Sequence, residues 1–309
     1  MKLKGIVLTM LSSITFGFAF TLGPMTYGAG GSNPVTLTFL RNFLSLPFLL
    51  LIVLFLKVDL RVTKNQLKNL AILGFIGNSI TTLLLNIAFA HIDVGIVTPI
   101  HFTYPIFVTL GCVLFFHEKL SKQKIIALVI AMSGIGCFFI ESLNSASFNS
   151  STLIGLILAV ASGAFYAFYI IFMDKSGLKS ESPFKITFYV AIASSIGMFF
   201  YGISTNQLVL SSLTTKSWII SAVFAFLCTV VALSLLQVGI KHIGASEAAV
   251  ISTFEPITSV IFGVLLLGEK VTPLKIFACI LIFAGVLILS FAKENTKDEP
   301  PETNIELEV

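Results

Sequence analysis

One stretch occurs twice in this chain, and that duplication limits what the chain can fold into more than any other feature. The first copy covers 91–135 and the second 242–286; an offset of 151 positions aligns them without a gap. His91-Ile92 falls on His242-Ile243, Pro105-Ile106 on Pro256-Ile257, Glu118-Lys119 on Glu269-Lys270, Ser121 on Thr272 and Gly134 on Gly285. Shared Leu or Ile means little in so apolar a chain, whereas shared His, Pro and Glu-Lys at one fixed offset means more. Upstream the match continues with small shifts. Gly5 and Ser12 match Gly155 and Ser162; Pro34, Thr38 and Phe39 match Pro183, Thr187 and Phe188; Asn86 matches Gln237. A period this long exceeds any solenoid unit, so the chain reads as a duplicated half-protein.

Composition decides the solvent. Of 309 residues, 56% are hydrophobic and 11% charged, against about 25% charged in a soluble domain. The chain therefore belongs in a lipid bilayer. The net charge of +4 is no sign of a nucleic-acid partner, because the basic residues sit in short loops between apolar runs. Cys112, Cys137, Cys228 and Cys279 lie inside such runs and form no CxxC pair. They read as small hydrophobes, and neither a disulfide framework nor a metal site is expected.

Ten apolar runs are expected as helices: 5–26, 34–56, 68–90, 95–116, 124–141, 153–173, 183–204, 217–240, 246–267 and 274–292. Most approach the ~20 residues that span a bilayer. The first follows Lys2 and Lys4, as a signal peptide would, but its apolar core is too long and it completes the first repeat. Five helices per unit is an odd number, so the second unit enters the membrane from the other side. The expected fold is an all-α integral membrane protein of ten transmembrane helices in two inverted five-helix repeats. The units are 1–141 and 153–292, joined by a Ser- and Asn-rich linker at 142–152. The stretch 293–309, with six acidic residues around Pro300-Pro301, is expected to be a disordered acidic cytoplasmic tail. With the N-terminus inside, fifteen Lys and Arg fall on the inner side and three on the outer. That bias puts both termini in the cytoplasm of a multi-pass cell-membrane protein.

The run Ala248-Ala249-Val250-Ile251-Ser252-Thr253-Phe254-Glu255-Pro256-Ile257, continuing through Gly268-Glu269-Lys270, resembles the signature of EamA-type transporters of the drug/metabolite transporter superfamily. Tyr104-Pro105 through His117-Glu118-Lys119-Leu120 resembles the same signature in the other half. The resemblance covers residues 4–292. It implies ten helices, two inverted units and transport of small metabolites by alternating access, and it is specific for the fold but weak for the substrate. The copies differ at two places: Tyr104 stands where Glu255 stands, and His101 where Ser252 stands.

Glu255 is the first candidate for a substrate or ion site. It is the tenth residue of a run of about 22 and so lies near the bilayer midplane, where an ionisable group costs about 2.5–3.5 kcal/mol on insertion scales. Such a group faces a cavity or a partner. It suits a proton relay or a cation site; the alternative is a protonated carboxyl that holds two helices together. Pro105 and Pro256 are candidate helix breaks. Each removes an N–H and frees the carbonyl four residues earlier, on His101 and Ser252 respectively. Matched interruptions in both halves point to a central site, with a plain packing kink as the alternative. His101 and Tyr104 share one helix face, and Ser252, Glu255 and Ser259 share another. His101 could exchange protons near neutral pH or be structural. Asn78, Tyr166 and Gln237, with Thr81, Thr82, Asn86, Thr229 and Ser234 nearby, are either pocket residues or interhelical glue. Arg41 reads as snorkelling to the outer interface, or as holding a carboxylate or phosphate. Glu118 and Glu269 read as a structural helix hairpin, with Ser121 and Thr272 as N-caps.

The expected function is secondary active transport of a small organic metabolite, an amino acid or related amphiphilic compound, with efflux favoured. Nothing resembles a nucleotide-binding loop and no cofactor is expected; a proton or an exchanged solute would couple transport. Uptake, facilitated exchange of another solute and a lipid-type flippase are the alternatives. No HExxH, GxSxG or DxxxD pattern supports an enzyme. The expected partners are the small-molecule substrate and the lipid bilayer, and a homodimer is compatible with the sequence.

Overall fold

The computed structural model describes residues 2–27, 30–91, 94–143, 150–267 and 271–291. Glu269, most of the expected linker and the acidic tail lie outside the described residues. In chain order the helices are α1 (Lys2–Leu22), α2 (Pro34–Phe43), α3 (Ser45–Phe55), α4 (Lys64–Ile72), α5 (Thr81–His91), α6 (Val94–His101), α7 (Tyr104–Phe116), α8 (Lys122–Leu143), α9 (Ser150–Lys175), α10 (Pro183–Ser204), α11 (Thr215–Ala225), α12 (Leu233–Ser252), α13 (Glu255–Leu267) and α14 (Pro273–Ser290). Wide π-type turns, Leu73–Ile80 and Phe226–Ala232, join α4 to α5 and α11 to α12. They fall at matching places in the two copies.

Among the described residues, nine helical runs are long and apolar enough to cross a membrane. The expected eighth and ninth runs are not separated by a loop. Across Thr215–Ser252 two helices meet at a kink at Gly244, whose φ of 77° and ψ of 169° no helix contains. Glycine adopts that backbone without a Cβ penalty.

The ends of the helices follow local chemistry. Asn33 accepts from the Thr36 N–H at 2.8 Å ahead of Pro34. Thr63 and Gln66 form a reciprocal capping box. Ser121 and Thr272 each accept from the N–H three residues on, at 3.2 Å. The α2–α3 break at Leu44 has its cause in Pro47, whose ring conflicts with the carbonyl of Phe43.

The two repeats are interlocked. The first helix of each, α1 or α9, packs on the later helices of the other: α1 on α12 and α13, α9 on α5, α6 and α7. The last helices, α8 and α14, cross each other at Gly134 and Gly285. A Cβ on Gly134 would lie 2.7 Å from the Ala278 carbonyl oxygen and 2.7 Å from Ile282. A Cβ on Gly285 would lie 2.8 Å from the Ala127 carbonyl oxygen and 3.0 Å from Ala131. Ala127 and Ala131 are the counterparts of Ala278 and Ile282 at the same offset. The two contacts are one contact seen twice, as a two-fold relation between the repeats requires. A second such pair lies deeper: Asn86 donates to Thr38 Oγ1 at 2.6 Å, and Thr187 donates to Gln237 Oε1 at 3.2 Å.

Candidate functional site

Both copies interrupt their broken helix at the same residues. α6 ends at His101 and α7 begins at Tyr104; α12 ends at Ser252 and α13 begins at Glu255. At each break the backbone tightens to bonds three residues apart, from Thr103 N–H to Ile100 and from Phe254 N–H to Ile251, both 3.0 Å. Pro105 and Pro256 follow as second residues of the next helix, where a missing N–H costs nothing. The Thr103 and Thr253 hydroxyls add bonds to Ile100 and Val250 carbonyls at 2.7 and 2.6 Å. Gly163 of α9 presses against the His101 carbonyl, which an added Cβ would approach to 3.0 Å.

A cavity of about 500 Å³ ends at this level. It extends from Glu255, Pro256 and His101 past Ser259, Asn86 and Thr38 to Tyr27 and Lys275, at the end of the bundle where α1 finishes and α14 starts. Its walls carry Phe20, Phe89, Phe102, Phe138 and Phe224. This volume is within the usual range for small-molecule sites, and a mostly apolar wall with few polar groups is their usual composition. Burial pushes the Tyr27 phenol up to about 12, so Tyr27 is a neutral hydrogen-bonding group there. Below the cavity a chamber of about 40 Å³ is lined by Arg41, Asn78, His101, Tyr104, Tyr166 and Glu255, among others.

The candidates divide by position. His101 is buried, with Nδ1 2.9 Å from the Ser162 hydroxyl, and its ring lies 5.7 Å from Tyr104 and 5.5 Å from Tyr166. Tyr104 packs edge-on to Tyr166 at 4.7 Å, and its buried hydroxyl lies near Ser252. Asn78 donates to Asn42 and Ser194, each at 2.9 Å. Glu255 is 7% exposed, and its carboxylate has no hydrogen bond to a described residue. Gln237 and Ser252 are buried but lie off the walls of both spaces. Gln237 is held one layer back, donating to the Tyr169 hydroxyl at 2.8 Å. Glu118, in the α7–α8 turn, accepts from Lys175 at the end of α9 at 2.7 Å.

Arg41 departs from its expected place. It does not snorkel to the lipid interface. It is 6% exposed, lines both spaces, and sits over the rings of Phe16 and Phe20 at 5.9 and 6.0 Å. The reason is that its face of α2 turns toward α1, so the side chain meets aromatic rings and cavity before it meets lipid. The sequence reading missed Pro99, which lines the cavity, and Asn42 and Ser194, which lie off both walls and hold Asn78 in place. Pro99, inside α6, was visible as a second proline in the first copy.

At the opposite end, where α1 begins, ion pairs bridge the two repeats. Glu247 of the second meets Lys124 at 3.2 Å and Lys2 at 3.6 Å in the first. Lys175 of the second meets Glu118 of the first at 2.7 Å. Lys175 and Lys179 also flank Asp174. Among the described residues no group of three or more His, Cys, Asp or Glu is arranged to hold a metal ion.

Comparison with known proteins agrees with this architecture. The model of the EamA-like transporter family matches the chain twice, over residues 3–140 and 153–291. Uncharacterized transporter YcbK of Bacillus subtilis is 25% identical over 276 residues, 86% of each chain. Uncharacterized transporter YoaV of the same organism is 22% identical over 306 residues, 94% of this chain and 99% of its own. Uncharacterized transporter sll1319 of Synechocystis is 28% identical over 210 residues, 68% of this chain and 63% of its own length. A solved crystal structure superposes with a TM-score of 0.78 at 15% identity, covering 92% of this chain and 95% of that one, which shows a shared fold.

Proposed function

Because the chain belongs to the EamA-like transporter family and is a multi-pass membrane transporter, we propose that it moves an amino acid or related amphiphilic solute by secondary active transport. The observation that carries this reading is a one-sided cavity. It stops at the paired helix breaks beside the buried Glu255 carboxyl group, and the far end is tied across the repeats by Glu247 and Glu118. Alternating access needs such a site between two units that can rock against each other. The reverse state would break the Glu247 and Glu118 pairs and close the Phe-lined end.

The charge bias of the loops supports a cell-membrane orientation with both termini cytoplasmic, so the cavity faces outward in this conformation. Energy comes from a proton gradient or solute exchange. Glu255 carries either a proton or a substrate amine, and it cannot hold both at once. That competition makes the two fluxes opposite, so an inward proton gradient drives efflux.

The test is counterflow in proteoliposomes preloaded with a mixed panel of amino acids and amines. Expected is saturable, trans-stimulated exchange of at least one panel member above protein-free vesicles. Folded protein that exchanges none of them contradicts the solute class; transfer of labelled phospholipid between leaflets in its place would support a lipid-type flippase.

A further inference from the structure

Arg41 is a buried cation that shares its chamber with Glu255 but makes no direct ion pair with it. It has no ion pair among the described residues, and its Nε has no hydrogen-bond partner among them. Phe16 and Phe20 cover the guanidinium. Glu255 lines the same small chamber, yet no carboxylate oxygen of it lies within 4.0 Å of an Arg41 nitrogen. A guanidinium and a carboxyl group in one small chamber, not in direct contact with each other, leave room between them for something that meets both.

The scaffold holds Arg41 in place. The Thr229 hydroxyl donates to its backbone carbonyl at 3.2 Å. The next residue, Asn42, accepts from Asn78, and Ser45 caps the end of α2 by donating to the Asn42 carbonyl at 2.6 Å. The repeat does not require the charge, because Val190 stands at the matching position. A planar guanidinium binds a carboxylate through two parallel bonds. Above the chamber, the wide cavity offers Phe20, Phe102, Phe138 and Phe224 to a large apolar group.

We infer that Arg41 takes the carboxylate of the transported solute while Glu255 faces its amine, so that the ligand is a zwitterion with a large apolar side chain. This rests on the transport reading of the same site and narrows it: a bare amine would leave Arg41 unmet, and a bare carboxylic acid would leave Glu255 unmet.

The experiment measures equilibrium binding to purified full-length protein in detergent, with three matched probes: phenylalanine, phenethylamine, which lacks the carboxylate, and hydrocinnamate, which lacks the amine. Wild type is expected to bind phenylalanine tightest. Arg41→Gln should weaken phenylalanine by about tenfold to a hundredfold, as for a lost charge-assisted contact, and leave phenethylamine within about twofold. Arg41→Lys should recover part of the loss, and a melting curve for each variant reports folding. Equal weakening of phenylalanine and phenethylamine in a folded Arg41→Gln overturns the assignment, as does unchanged phenylalanine binding. Wild type that binds none of the probes also overturns it, while counterflow of other panel solutes would leave the transport reading standing.

Discussion

Gly134 and Gly285 do the same work on opposite sides of the pseudo-two-fold relation, whereas Tyr104 and Glu255, equally well aligned, do not. The glycines let α8 and α14 touch backbone to backbone, and each repeat needs that contact once. Tyr104 and Glu255 open the second halves of the two broken helices. One brings a phenol packed edge-on against Tyr166, the other a carboxyl group on the cavity wall. Arg41 and Val190 differ in the same way. Packing is duplicated because both copies must fold into the same shape. Charge is not, and the proposed site accounts for that: a carboxylate on each repeat would repel across the centre, and a cation on each would leave no opposite poles for one solute.

The first way to break the comparison is at the crossing. Gly134→Leu and Gly285→Leu should each destabilise the protein by about 3 kcal/mol or more, since neither backbone can recede from a side chain there. Melting in detergent should show two large and similar losses. One tolerated substitution beside one ruinous one would mean that the crossing is not shared equally.

A smaller test lies at the paired polar contacts. Thr38→Val strips Asn86 of its 2.6 Å bond, and Thr187→Val strips Gln237 and Ser234 of theirs at 3.2 Å. Each should cost about 0.6 kcal/mol, a typical value for a hydrogen bond between membrane helices. A difference above about 1 kcal/mol between the two variants would show that one site serves the cavity and the other only the fold. Thr38 lines the cavity and Thr187 does not, so Thr38→Val should also change solute affinity whereas Thr187→Val should not.

Much of this was legible in residue order. The offset of 151 aligns the helix breaks, the crossing glycines and Asn86 with Gln237, and a two-residue shift brings Thr38 onto Thr187 to complete the paired contacts. Ser121 and Thr272 are N-caps because hydroxyls three residues ahead of a helical N–H cap helices in any solvent. What could not be read is which face of each helix meets the cavity. In a soluble helix the polar face marks solvent, but here lipid and core are both apolar, so Arg41 could not be placed between lipid interface and cavity. Gln237 carries a pocket-like amide, yet Tyr169 and Thr187 hold it a layer behind the wall. The wide turn Leu73–Ile80 shifts the helical register around Asn78, and Asn42 and Ser194, its partners, gave no pattern to follow. Gly244 joins two expected helices without a loop because a single positive-φ residue suffices to turn the chain.

The account turns on Glu255 being the exchangeable proton site, and proteoliposome flux with and without an imposed pH gradient tests that most directly. Wild type should move solute faster when the gradient is present. Glu255→Gln should lose at least about tenfold of that gradient-driven flux, while solute-for-solute exchange, weakened by the lost amine contact, persists and no longer responds to the gradient. Wild-type flux that ignores the gradient and persists in Glu255→Gln would contradict the account, and would make Glu255 a helix-packing carboxyl in an uncoupled carrier.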